Sequence, residues 1–425
     1  MSFKEWQEVT LADISIGNKG NYGIAASAVD YSDDLLTYLR ITDISDDGVL
    51  NKDGLMSVDD KNAEKYILEP NDIVFARTGN STGRSYFYDG RDGKLVYAGF
   101  LIKFSLDPKK LNPKFMRYYT ISSVYKNWVA SFSTGSTRGN INAQTYSNMK
   151  INLPPRNQQD FLVNILSKLD EKIEVNNQIN KTLENMAQAI FKQWFVDFEF
   201  PNEDGEPYKS SGGEMVESEL GMIPKGWEVM DLSEISTNII TGKTPSTKVK
   251  ENYGNEIPFV KIPDMHGNVY ITKTESYLSK KGVHKNKIIP RNAIIVSCIA
   301  TPGLVSIASE DCQTNQQINS LLLKDEKMCY FAYFKLIELA DYIRTLGSTG
   351  SATLNLNKNE FSKIKIVVPE KRLIEKYYQS VKFSFEMILE NMKSNEVLRN
   401  LRDTLLPKLM SGEIRVPLKE EGEVS

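Results

Sequence analysis

At 425 residues the chain is too long for one ordinary hydrophobic core, so its length predicts two to four domains. Hydrophobic residues at 40% and charged residues at 25% suit a globular protein; no apolar run reaches bilayer length, and MSFKEWQEVT has neither the basic nor the apolar region of a signal peptide, so no membrane partner is expected. A formal net charge of −3 argues against a chain coated in nucleic acid, and three scattered cysteines (Cys298, Cys312, Cys329) without metal-ligand spacing fit a reducing cytoplasm.

The first 155 residues mix short β-rich runs with turns. DIVFA (Asp72 to Ala76) and LVYAGFLIKFSL (Leu95 to Leu106) read as strands, and FMRYYTISSVYKNWVASF (Phe115 to Phe132) as a helix from its spacing. After Pro154 and Pro155 the pattern changes. From Arg156 to Phe198 there is no Gly or Pro, and Leu162, Ile165, Leu169, Ile179, Leu183, Met186 and Ile190 follow steps of three and four, interrupted at Lys172 and Asn176. That is a coiled-coil seam, and some 40 helical residues would reach ~60 Å. A linker is expected at 201–220.

Beyond it the chain repeats itself. STGS occurs at Ser133 to Ser136 and again at Ser348 to Ser351, an offset of 215 residues. At that offset Asn140 falls on Asn355, Tyr146 on Phe361, Ile151 on Ile366, Pro154 on Pro369, Asn176 on Asn391 and Leu183 on Leu398. Upstream the offset drifts to about 220, where Pro70 meets Pro290 and Ser297 stands opposite Arg77. AIIVSCI (Ala293 to Ile299) and KIKIVV (Lys363 to Val368) read as strands, and Tyr330 to Leu346 as a helix. From Arg372 to Met410 a second seam runs through Met387, Leu398, Leu401 and Leu405, closed by Pro407.

The fold class is therefore two tandem α/β or α+β domains, each followed by a long helix. The boundaries are 1–155 and 221–370 for the domains and 156–200 and 371–413 for the helices. An amphipathic helix this long must bury its stripe, and the matching helix is the natural partner. The pair is expected as an antiparallel coiled coil with pseudo-twofold symmetry, with Asn176 and Asn391 at equivalent seam positions. The tail, 414–425, is acidic.

Catalytic signatures are missing. His266 and His284 lie in no zinc-like pattern, and no nucleophile elbow, zincin or Walker A sequence occurs. The tripeptide DEK at Asp170 and again at Asp325 has no further acid at a metal-binding spacing. No metal, catalytic residue or cofactor is assigned to this chain.

The duplicated plan, together with NLPPRNQQDFLVNILSKLDEKIEVNNQINKTLENMAQAIFKQWFVDF and LRDTLLPKLMSGEIRV, resembles the specificity subunit of type I restriction–modification systems. The resemblance spans essentially the whole chain and is strongest in the helices. It implies a non-catalytic reader of double-stranded DNA in which each domain recognises one half of an asymmetric, two-part site. It also implies that the helices set the spacing and dock two methyltransferase subunits, with translocating restriction subunits joining them. Adenine methylation and cleavage, with S-adenosylmethionine and ATP, would belong to those partners. The alternatives are a structural adaptor with a coiled-coil spacer and a stand-alone nuclease.

Candidate DNA contacts lie in turn-rich segments with cationic and amide side chains. RTGNSTGRSY offers Arg77, Thr78, Asn80, Ser81 and Arg84, and STGSTRGN offers Arg138 and Asn140. Arginine can grip guanine with two bonds and asparagine suits adenine. In the second copy, Lys243 to Arg291 carries ten lysines or arginines against four acids. Lys243, Lys248, Lys250, Lys280, Lys281, Lys285 and Lys287 are expected to hold phosphates. Trp194, Phe195 and Phe198 end the first helix as core or as a landing site for a methyltransferase subunit.

Overall fold

The computed structural model describes residues 6–132, 139–347 and 355–414. Both STGS segments, Arg138 and the end of the acidic tail lie outside them. Two compact units emerge: Met1–Lys172 with Leu398–Ser425, and Ile173–Val397. Each contains one globular domain and a stretch of both long helices.

In the first unit a four-stranded sheet runs Asn21–Tyr22, Leu101–Ser105, Asp72–Ala76, Ser85–Tyr88. Its central strand, Asp72–Ala76, is buried on both faces. Ile73 and Phe75 join a core with the helices Pro113–Tyr119 and Ser123–Ala130, while Val74 and Ala76 join a second core beneath the sheet Ala28–Val29, Met56–Val58, Leu36–Leu39, Leu95–Tyr97. The period of two along a strand separates the cores. The expected helix 115–132 is broken at Thr120–Ser122, because the Ser122 side chain accepts from Tyr125 N and caps a new helix. The expected strand 95–106 is likewise two strands, turning at Ala98–Leu101.

The second unit repeats this plan. Ser236–Thr241, Ile318–Leu323, Ile294–Ser297 and Val305–Ala308 are hydrogen-bonded in the matching order, with Tyr270–Ile271 added at the edge. Leu36–Leu39 pairs parallel with Leu95–Tyr97 in one copy, and Tyr253–Val260 with Gln313–Thr314 in the other. Arg40–Asp43 and Lys261–Asp264 form the same capping box.

The correspondence corrects the sequence alignment by one residue. Asn71 and Asn292, both in the left-handed region (φ 76° and 66°), enter the central strands. Asparagine tolerates this conformation better than most side chains. Ile73 and Phe75 therefore match Ile294 and Val296, which likewise face the helix-side core, whereas Ile295 faces the other. A slip of one residue would turn every side chain to the wrong face. Arg77 is thus matched by Cys298, not Ser297: Ile141 N donates to Arg77 O in one copy and Leu356 N to Cys298 O in the other, each at 2.9 Å.

Helices span Arg156–Phe191, continuing as one π-helical turn to Val196, and Lys371–Met410. The second runs three residues past Pro407, so that proline does not close it. The seams are rotated from the apolar count. In the first helix Leu162, Leu166, Ile173, Asn176 and Ala187 are buried, while Ile179 and Met186 are 37% and 56% exposed. In the second, Tyr377, Val381, Phe385, Ile388 and Asn395 are buried, and Leu401 is exposed. The reason is polar pairing. Within the second unit Asn176 Nδ2 donates to Asn395 Oδ1 at 2.8 Å, Asn395 Nδ2 to Asn177 Oδ1 at 2.8 Å, and Asn391 Nδ2 to Asn180 Oδ1 at 2.9 Å. Residue numbers rise along one segment as they fall along the other, so the segments are antiparallel. The offset of 215 carries the Asn176–Asn395 pair onto Asn391–Asn180. In the first unit, Arg402 and Asp170 pair at 3.0 Å, and Tyr118 Oη donates to Asp170 at 3.0 Å.

The expected linker is folded. Phe200 stacks on Tyr208 at 4.5 Å and on Trp227 at 5.3 Å, Pro201 bridges to Pro207, and Met215–Ser218 pairs with Gly221–Pro224. Among the described residues no helix is long and apolar enough to cross a membrane.

Candidate nucleic-acid interface

RTGNSTGRSY folds into a tight turn at the end of the central strand. Gly79–Ser81 form one 3-10 turn, with Gly79 at φ 77°. Thr82 Oγ1 donates to Gly79 O (2.8 Å) and Gly139 O (2.9 Å), and Thr78 bridges to Asn140. Gly83, at φ 87°, lies so close to Val129 that a Cβ would sit 2.4 Å from its Cγ1. The turn is thereby fixed against the segment that follows it in space, and Asn80 and Asn140 are left exposed. Ser81 is buried.

The two arginines of this turn have different fates. Arg84 Nε donates to Asp46 Oδ1 at 2.7 Å and Nη1 to Ile44 O at 3.1 Å, so its guanidinium is engaged within the domain. Arg77 is half-buried, and its guanidinium lies 5.0 Å from the centroid of the Tyr22 ring. Tyr22 comes from the edge strand, and its Oη accepts from Ala143 N at 3.1 Å. No charge or motif in the sequence marks Tyr22. The only signal was Gly23, one residue on, which packs on Ala98 O so tightly that a Cβ would lie 2.2 Å away; Gly242 has the same relation to Asn315 O.

In the second copy the lysines gather on two loops. Gln313, fully buried, joins them: its Nε2 donates to Lys243 O at 3.3 Å and its Oε1 accepts from His284 N at 3.0 Å. Ser279 N donates to Asn252 O at 3.0 Å, and Gly282 rests on Asn252 with no room for a Cβ. The stretch with Lys243, Lys248 and Lys250 thus lies beside the stretch with Lys280, Lys281 and Lys285, and all six are exposed. Among the described residues none of the six forms an ion pair; Lys287 donates to Thr241 O at 2.8 Å. The equivalent stretch of the first copy, between Gly23 and Pro70, holds eleven acids against four bases; that of the second, between Gly242 and Pro290, holds nine lysines against four acids.

The aromatic cluster is core. Phe195 is 3% exposed, with rings of Phe331 and Tyr377 each 5.0 Å away, and Phe198 meets Trp227 at 5.5 Å. Trp194 packs on Tyr377 at 6.0 Å. A landing site cannot use the enclosed Phe195 side chain. Burial also pushes the thiols of Cys298, Cys312 and Cys329 up to about 12, away from any reactive range. Among the described residues no cluster of His, Cys, Asp or Glu could hold a metal.

Comparison with known proteins adds to this picture. The family model described as "Type I restriction modification DNA specificity domain" matches residues 3–185 and 224–394. The specificity subunit of the type I restriction enzyme HindI from Haemophilus influenzae is 35% identical, over 96% of this chain and 100% of its own length. The MjaIX specificity subunit from Methanocaldococcus jannaschii is 28% identical, over 71% of this chain and 69% of its own. The crystal structure of a type I restriction–modification S subunit from M. genitalium shares the fold, with a TM-score of 0.54 at 17% identity, covering 95% of this chain and 96% of the other.

Proposed function

The chain belongs to the family of type I restriction–modification DNA specificity subunits, and from that membership we propose that its two domains read the two halves of an asymmetric site in double-stranded DNA. One observation carries the reading. The same central sheet is built twice in the same strand order, yet the equivalent loops expose opposite charge and different side chains. A duplicated structural adaptor has no need of this divergence at one place in the fold. Two readers of different sequences do.

Phosphate contacts position a protein on DNA and base contacts specify the sequence. The six exposed lysines of the second copy suit the first task. The turn Arg77–Arg84, with Asn80 and Asn140 beside it, suits the second. The chain itself performs no reaction in this reading; two methyltransferase subunits use S-adenosylmethionine at the bound site, and restriction subunits add ATP-driven cleavage. The long helices carry those partners, and Trp194 and Phe198 act behind that surface as its packing.

The test exchanges 1–155 for the corresponding domain of another family member and maps methylated bases genome-wide in a host carrying the cognate methyltransferase. One half of the motif is expected to change and the other to persist. A change in both halves overturns the modular reading. A complex that assembles but methylates no defined motif favours the adaptor.

A further inference from the structure

We propose that Arg77 is the side chain with which the first domain reads a guanine in the major groove; this rests on the DNA-reading function above. The backbone of Arg77 is pinned on both sides: its N donates to Phe100 O at 3.0 Å and its O accepts from Ile141 N at 2.9 Å. Its guanidinium lies over the Tyr22 ring, which is itself held by the bond from Ala143 N. Among the described residues no hydrogen bond or ion pair engages that guanidinium, and its Nε is enclosed without a partner.

A partly desolvated cation without a counter-charge is costly. It is more telling in a domain so rich in acids. Arg40 is given Asp43 and Arg84 is given Asp46, each at 2.7 Å, whereas Arg77 is given an aromatic face. The cation–π contact holds the guanidinium against the ring and leaves its Nη fork for an outside acceptor. Two acceptors fit a fork: a phosphate, and the O6/N7 edge of guanine. The rim decides between them. Tyr22 is 43% and Phe100 59% exposed, an apolar border suited to base edges and methyl groups and poor for a phosphate. Next to Arg77 in the chain, Thr78 bridges to the exposed Asn140, and the exposed Asn80 follows two residues later. The second copy has Cys298 and Thr241 at the positions of Arg77 and Tyr22, so its half-site is read without this fork.

The experiment uses the full chain assembled with its cognate methyltransferase subunits. Methylated bases are mapped for wild type, Arg77→Ala and Arg77→Lys, and purified complexes are assayed on duplexes carrying 7-deazaguanine at single positions. Wild type is expected to require one guanine in the half-site assigned to the first domain by the exchange experiment. Arg77→Ala should lose about ten- to hundredfold of the discrimination there and nowhere else. Arg77→Lys should restore binding but not discrimination. Removing N7 of that guanine should impair wild type and leave Arg77→Ala indifferent. The 7-deazaguanine arm on wild type reads the contact even if a variant folds poorly. A first half-site without guanine overturns the proposal, as does full discrimination by Arg77→Ala. A uniform loss of affinity with a shallower salt dependence assigns Arg77 to a phosphate and overturns it too. Failure of the wild-type complex to methylate any two-part motif defeats the DNA-reading function itself, a distinct result.

Discussion

The two domains share a scaffold and differ at three places that the scaffold holds fixed. Where the first has Arg77 on Tyr22, the second has a buried Cys298 beside Thr241, whose Oγ1 donates to Asn319 Oδ1 at 2.6 Å. Where the first buries Asp72 against Lys103, the second has Ala293 and Ser320. Where the first exposes acids, the second exposes lysines. Positions that set the backbone are kept: Asn71 and Asn292 at positive φ, Gly23 and Gly242 against a carbonyl, Gly83 and Gly303 in the turn. The lesson is that the duplication preserves backbone geometry and lets side chains diverge, in the core at Asp72 and Lys103 as well as on the exposed loops.

The buried ion pair gives the largest expected effect. Asp72 is 2% exposed; it accepts from Lys103 at 3.0 Å, Ser105 at 2.5 Å and Glu69 N at 2.8 Å. Lys103→Ser leaves that carboxylate enclosed without its cation and should cost about 3–5 kcal/mol. Adding Asp72→Ala transplants the chemistry of the second copy and should recover most of the loss. Denaturant melting resolved to the first unit checks both. A single substitution costing under about 1 kcal/mol would mean that the domain does not depend on this pair.

The asparagine seam sharpens the comparison within the second unit. Asn176 and Asn395 are buried (1% and 2% exposed), whereas their offset-related pair, Asn391 and Asn180, is half-buried. Asn395→Ala strands the buried Asn176 amide and should cost about 1–3 kcal/mol. Asn180→Ala exposes its partner to water and should cost less than about 1 kcal/mol. Equal costs, measured by thermal melting of the second unit, would show that burial does not distinguish the two pairs.

What the sequence disclosed, and what it hid, follows from range. The offset of 215, the long helices and the lysine-rich stretch are written in local pattern and were legible. The one-residue slip between Pro290 and Asn292 was not, because matching prolines outweighed a left-handed asparagine that only the backbone reveals. The seam phase was misread because apolar counting passes over asparagines that bond to each other 219 residues apart. Arg77 and Arg84 looked alike; their difference lies in Tyr22 and in Asp46, which is 38 residues from Arg84 in the chain. Local sequence reports what a segment can form, and tertiary pairing decides which of its charged groups remain free.

The lysine loops give the smallest effect and the cleanest break between the two copies. Lys280, Lys281 and Lys285 are exposed on a loop held by Gln313 and Asn252, neither of which they contact through their side-chain nitrogens among the described bonds. Changing all three to Gln should leave the fold intact, since surface substitutions of this kind stay within about 0.5 kcal/mol. If each lysine holds a phosphate, the slope of log affinity against log salt should become shallower by about 0.9 per lost contact. The methylated motif should not change, because phosphate contacts carry no sequence information. Titrating the assembled complex against duplexes at several salt concentrations, with motif mapping alongside, separates the outcomes. An unchanged slope would remove the lysines from the interface. An altered second half-site would make them base readers, and the first copy's acids would then mark a difference in how the two domains read rather than in how they hold on.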